Sequence, residues 1–199
     1  MSEATLIRPA LALAAVVLAS AACKAPLPPS EESWRQERER GVIEMVAVET
    51  KVALAGLRFY PFDPAYRFKA MVEPIVPPEP LRLGASDGSI RPAHRVGRVR
   101  LRMPGGEARL SLFQLDDIRD QYPDMLFLPF RDAGAGAETY GAGRYVDVER
   151  LAGGVVAIDF NRATNPDCAY GVSAQCPITP AENTLPFKVE AGEMLPPGH

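Results

Sequence analysis

The chain changes its pattern of apolar and polar positions twice. Ala10 to Ala22 is apolar except for Ser20. Glu31 to Arg40 is highly charged, with Glu31 and Arg35, then Arg35 and Glu39, four residues apart, the spacing that brings opposite charges together on a helix. Ser30 fits an N-cap, Glu31 and Glu32 an acidic first turn, and Trp34 an apolar anchor. Gly41 either ends or kinks this helix, or Val42 to Val48 continues it. Its charges read most simply as a solvated face.

From Tyr66 onward the period falls to two. Tyr66, Phe68, Ala70 and Val72 share one face of a half-buried strand. Pro74 to Pro80 holds four prolines, which confines it to a loop or a sheet edge. Asp87-Gly88 marks a turn. Val99, Leu101 and Met103 oppose Arg98, Arg100 and Arg102, and Pro104-Gly105-Gly106-Glu107 turns the chain back through Arg109 to Leu112, a hairpin. Met125 to Phe130 reads as a buried strand. Tyr145 to Val148 and Val155 to Phe160 pair through Gly153-Gly154, and Leu185, Phe187 and Val189 alternate in a last strand. The sum is a mainly β fold: an antiparallel sandwich or barrel-like sheet with one N-terminal amphipathic helix. No internal repeat is visible.

Composition supports this and narrows the chemistry. Twenty prolines in 199 residues suit short strands and loops and exclude a helical bundle, because each Pro inside a helix costs about 3 kcal/mol. A net charge of −3 gives no bulk attraction to nucleic acid or to an anionic membrane, so no nucleic-acid partner is expected. The two histidines are His94 and the terminal His199. His-rich zinc sites are thereby excluded, no metal site is read, and a Ser-His-Asp triad would have to run through His94.

The N-terminus reads as an address. Arg8, the apolar run, and Ala19-Ser20-Ala21-Ala22 before Cys23 resemble a bacterial lipoprotein signal, with residues 1–22 as signal peptide and Cys23 as the lipidated residue. Ser20 stands where such signals usually carry Leu. Lys24, in place of the Asp of inner-membrane retention, points to the outer membrane, facing the periplasm. Cleavage at Ala19-Ser20-Ala21 to give a soluble secreted protein is the alternative. Residues 23–30 form a Pro-rich tether and 31–199 a single domain. Export implies an oxidising compartment, in which Cys168 and Cys176 are expected to form a disulfide closing a short loop.

Three polar stretches are candidates for function. The ladder Arg98, Arg100, Arg102 either guards an edge or binds an anion. The Gly-rich run Asp132 to Arg144 lacks the spacing of a nucleotide loop and is followed by strand-like residues; it is either a flexible connection or a loop that lets backbone approach a ligand, with Tyr140 and Arg144 as polar contacts. Asp159, Asn161, Asn165 and Asp167 echo a calcium loop, but Ala163, Thr164 and Tyr170 occupy positions that such a loop needs otherwise. Asx caps and turns are the plainer reading.

Thr139-Tyr-Gly-Ala-Gly-Arg144-Tyr, Asp159-Phe-Asn-Arg-Ala-Thr-Asn-Pro166, Cys168-Ala-Tyr170, Cys176-Pro177, Glu182-Asn183 and Ala191-Gly-Glu193, in this order, resemble the bacterial and archaeal family called domain of unknown function 1684. Trp34-Arg35 to Arg38 resembles its N-terminal helix. The chain is shortened between that helix and Phe59-Tyr60-Pro61, and Met194 stands where Lys is common. The resemblance implies no known reaction and no known cofactor. It implies that Asp132, Tyr140, Arg144, Asp159, Asn161, Asn165, Glu182 and Glu193 converge on one polar site. The expectation is a cell-envelope lipoprotein, held to the membrane by lipid on Cys23, that binds a small polar or anionic ligand or an envelope component. Arg144 and Tyr140 would touch the ligand, and Asp159 and Asn161 would orient them. The alternative is a carboxylate- or divalent-cation-dependent hydrolase with Asp159 and Glu182 as acid and base. A third reading is a structural domain docking through Trp34.

Overall fold

The computed structural model describes residues 29–172 and 175–197. The expected signal peptide, the lipid-bearing Cys23, most of the tether and His199 lie outside the described residues.

Among the described residues one α-helix, α1 (Pro29–Thr50), precedes seven strands: β1 (Arg67–Met71), β2 (Glu73–Gly84), β3 (Ile90–Met103), β4 (Gly106–Leu115), β5 (Met125–Phe130), β6 (Arg144–Arg150) and β7 (Val155–Asp159). All pair antiparallel, in the order β1-β7-β6-β5-β4-β3-β2, and the sheet is curled into a half-barrel. The helix takes in Ser30, the expected cap, and continues through Gly41, where a Cβ would meet nothing within 4 Å. Arg35 pairs with Glu31 at 2.9 Å, whereas Glu39 accepts the backbone N–H of Leu57.

The expected hairpins form. Met103 pairs with Gly106 across the Pro104 turn, and β6 returns to β7 through Gly153 and Gly154. The proline-rich stretch lies in β2, an edge strand, where missing N–H groups cost no ladder bond. β1 and β2 are opposite edges of the sheet, yet only Val72 separates them in sequence. The sheet therefore has to curl until its two edges meet. Gly97 in β3 makes room for that seam: a Cβ there would lie 2.4 Å from Val72 and 2.8 Å from the Glu73 carbonyl.

The strand expected at Leu185 to Val189 is absent. Leu185, Val189 and Ala191 are buried in the core against Leu110, Leu128, Val146 and Ile158. The segment keeps their alternation without a ladder because its N–H groups bond elsewhere: Leu185 N–H to the Arg131 carbonyl, Val189 N–H to the Asp132 carboxylate. Pro186 has no N–H to give.

The sheet also parts between β4 and β5, which share one pairing, Phe113 with Phe127. Asn183 fills the gap. Its Oδ1 accepts the Ser111 N–H at 2.8 Å, and its Nδ2 donates to the carbonyls of Ser111 and Pro129 at 2.9 and 2.7 Å. A side-chain amide thus does what a strand residue would do, opposite a proline that could not donate.

Candidate functional site

The family-like blocks meet in two buried ion centres. In the first, Asp132 and Arg144 are 5% and 1% exposed. The Arg144 guanidinium donates to Asp132 Oδ2 at 2.6 Å, to the Glu193 and Val189 carbonyls at 2.9 and 2.8 Å, and to the Ala191 carbonyl. The Phe130 and Tyr60 rings cover it at 5.0 and 6.0 Å. Burial pulls its pKa below the ordinary arginine value against the opposing pull of Asp132. Asp132 also accepts from Gly134 N–H, Thr139 hydroxyl and Val189 N–H. Gly192, at φ 76°, turns the tail so that the carbonyls on both sides of it reach one guanidinium nitrogen; a Cβ there would sit 2.6 Å from the Ala163 carbonyl.

In the second centre, Glu193 is fully buried. Its Oε1 accepts from Arg38 Nε at 2.7 Å, and its Oε2 accepts from Asn165 N–H and the Tyr170 hydroxyl at 2.7 and 2.6 Å. Burial works against the charge on Arg38, and Glu193 outweighs it, so the Arg38 pKa ends above its usual value. Burial, reinforced by Glu193, pushes the Tyr170 hydroxyl up strongly. One face of α1 is thus tied into the fold by charge, and the expectation of a wholly solvated helix face fails at Arg38.

The remaining candidates lie apart. Asn161 is buried and holds the backbone of Asp63 by both ends of its amide. Asp159 caps the turn at Asn161 and pairs with Arg67 at 3.0 Å. Glu182 is exposed and bonds Arg95 on β3, four strand positions from β7. The two carboxylates named for acid–base work are therefore separated across the sheet, each engaged by an arginine. Tyr140 packs toward Cys168, 4.0 Å from its Sγ, and burial pushes its hydroxyl to about 12.

Cys168 and Cys176 are free thiols here, not the expected disulfide, although they adjoin: the Cys168 N–H donates to Cys176 Sγ at 3.3 Å. Burial raises the Cys176 thiol to about 12. His94 bonds Asp116 at 2.7 Å. The arginine ladder is partly neutralised, with Glu73 bridging Arg100 and Arg109. Trp34 stacks edge-on to Phe59 and lies under Arg162, so it serves the fold internally. Among the described residues no three His, Cys, Asp or Glu side chains are placed to hold a metal.

A groove lies next to these centres. It occupies about 520 Å³ on the sheet face opposite the main core. Phe127 and Tyr145, edge-to-face at 4.8 Å, line it, and α1 (Arg38), the Thr164–Asp167 segment and the Gln175–Pro177 segment wall it. Asp147 stands on β6 between Tyr145 and Glu149, facing this groove and also a second hollow of about 530 Å³ lined by Arg67, Lys69 and Arg162. Its carboxylate is open to solvent yet crowded by protein, and burial raises its pKa despite the opposing field of Arg38. Sequence reasoning passed over Asp147, because alternation placed it on the polar face of β6, where a carboxylate is unremarkable. Only the segments folded over that face make a site of it.

Comparison with known proteins agrees with the motifs. The model of the family described as protein of unknown function (DUF1684) matches residues 52–194. An uncharacterised protein of Haloarcula marismortui, solved in solution by NMR, is similar over 85% of this chain and 95% of its own, at 29% identity and a TM-score of 0.60. No curated protein matches.

Proposed function

The chain belongs to the DUF1684 family of proteins of unknown function, and on that footing we propose that it binds a small polar ligand in the groove beside Asp147. One observation carries this reading. An accessible groove of about 520 Å³ holds a carboxylate with no ion-pair or hydrogen-bond partner among the described residues, beside an aromatic pair. Ligand sites combine an apolar floor with a few convergent polar groups in this way. Arg144, enclosed by protein acceptors, supports the groove by pinning the tail whose Glu193 positions Arg38 and Asn165 on the groove wall. The ligand contacts first assigned to Arg144 and Tyr140 pass in this reading to Asp147 and its neighbours.

The place of action follows from the N-terminal pattern. The protein works in the cell envelope, anchored by lipid on Cys23 and facing the periplasm, and there Cys168 and Cys176 pass two electrons and two protons to a thiol–disulfide oxidant of that compartment and form a disulfide. The motif before Cys23 and the adjacency of the two thiols support this. Mass spectrometry of protein from the membrane fraction tests both points: a diacylated or triacylated Cys23 and a bridged 168–176 peptide are expected, and a chain starting at residue 22 or earlier with two alkylatable thiols refutes both.

The binding proposal is tested by calorimetric and thermal-shift screening of polar metabolites, comparing the protein with its Asp147→Asn variant. A ligand that binds at micromolar to millimolar strength and loses at least tenfold in affinity with Asp147→Asn is the expected result. A screen in which every hit ignores Asp147 overturns the proposal. The separation of Asp159 from Glu182 leaves the hydrolase reading without its acid–base pair.

A further inference from the structure

We infer that the groove beside Asp147 takes an organic cation, an ammonium or guanidinium group carried on a short apolar stem; this rests on the groove being a binding site at all. The first argument is charge balance. The groove has cationic and anionic side chains, but its two arginines are already engaged: Arg38 holds Glu193 at 2.7 Å and Arg91 holds Asp117 at 2.9 Å. Asp147 and Asp167 line the same groove, and neither carboxylate has a hydrogen-bond or ion-pair partner among the described residues. Arg38 acts on both at a distance, but two arginines stand against Glu193, Asp117, Asp147 and Asp167, so the balance of charge at the groove is negative.

The second argument is independent of charge. Asn165, 2% exposed, also lines the groove. Its Nδ2 is committed to the Met194 carbonyl at 2.8 Å and the Tyr170 hydroxyl at 3.3 Å, which fixes the orientation of the amide, and its Oδ1 is buried without a partner. A buried acceptor with no donor costs stability that a ligand donor can return. Two unpartnered carboxylates, with the Asn165 oxygen as an unpaired buried acceptor in the same wall, call for a ligand rich in N–H groups. The rings of Phe127 and Tyr145 supply the remaining complement, since a cation over an aromatic face and a methylene stem against it are both favourable. The same side chains would repel an acidic ligand, so the anion expected from the arginines is the disfavoured choice.

The test uses three four-carbon probes of one length: putrescine, 1,4-butanediol and succinate. Calorimetry and amide NMR shifts are recorded for the protein, for Asp147→Asn and for Asp167→Asn. Putrescine is expected to bind, with shifts at residues 145–147 and 164–167, to weaken at least tenfold with Asp147→Asn and severalfold with Asp167→Asn, and to weaken as salt is raised. Butanediol or succinate binding in an Asp147-dependent manner without putrescine would overturn the cation while leaving the groove as a site. Putrescine binding untouched by both substitutions overturns it equally. Absence of any Asp147-dependent binding by all three probes and by the metabolite screen removes the site itself. Both substituted positions are accessible carboxylates without partners, so the variants are expected to fold, which circular dichroism checks.

Discussion

Replacing Asp132 by Asn is the sharpest test of the idea that Arg144 is a clasp rather than an exposed contact. The substitution preserves size and leaves one oxygen for the Gly134 and Thr139 donors. It removes the charge opposite a guanidinium that is 1% exposed, and it turns an amide N–H₂ toward the Arg144 and Val189 donors. Breaking a buried ion pair by removing one partner costs about 3–5 kcal/mol. In a domain of this size each kcal/mol moves Tm by roughly 2–4 °C, so a fall of about 6–20 °C is expected. The loss should be local before it is global. Hydrogen exchange at the Leu185, Val189 and Glu193 amides should speed up more than exchange in β3 and β4, because Arg144 holds three tail carbonyls. Combining the change with Arg144→Met should cost less than the two single changes added, with a coupling of about 1–3 kcal/mol. A loss below about 1 kcal/mol for Asp132→Asn, or tail exchange that does not respond, would refute the clasp.

Other outcomes follow from the same geometry. Asn183→Leu leaves the Ser111 N–H and two carbonyls unpaired where β4 and β5 part, and should cost roughly 3–9 kcal/mol at about 1–3 kcal/mol for each orphaned group; urea unfolding measures it. Glu193→Gln should free α1, with a cost of about 2–3 kcal/mol from the charged hydrogen bonds and faster exchange across Pro29–Thr50 than in the sheet. Asp147 has a pKa raised in the folded state, first by burial. The folded protein thus binds more protons than the unfolded chain between the ordinary carboxylate range and the raised value, and stability falls as pH rises through that window. Asp147→Asn should flatten that slope and stabilise the protein at neutral pH, as read from urea midpoints between about pH 4 and 7; an unchanged slope would show that burial does not govern this carboxylate.

Much of the sheet was legible because alternation reports burial directly. Val99, Leu101 and Met103 against three arginines could be little other than one strand of a hairpin, and the prolines of β2 marked an edge before any partner was known. The same signal misled at Leu185 to Val189, since alternating burial needs an extended backbone but not a ladder. The order of motifs put eight residues in one polar site; Asp132 and Arg144 lie in one enclosed centre and Asn165 and Glu193 in another, with Tyr140, Asp159, Asn161 and Glu182 elsewhere, and nothing in that order gave the division or the enclosure. Whether an arginine meets solvent or three carbonyls depends on where a distant tail lies, and Gly192 gave only a faint hint of that. Asp147 and Asn183 were silent for the same reason: each acquires its role from segments far away in sequence.

The seam at Val72 also sets a timetable. β1 finds its sheet partner in β7, where Met71 meets Val155, while β2 pairs with β3 a few residues downstream. A chain that emerges N-terminus first, from the ribosome or across a membrane, presents β1 well before its mate. During that interval β3–β4 and β5–β6 can close as local hairpins, and β1 waits as an unpaired edge. The half-barrel is finished only by the strand made last, so a chain interrupted anywhere before Val155 carries an open edge at its front and cannot bring its two ends of sheet together.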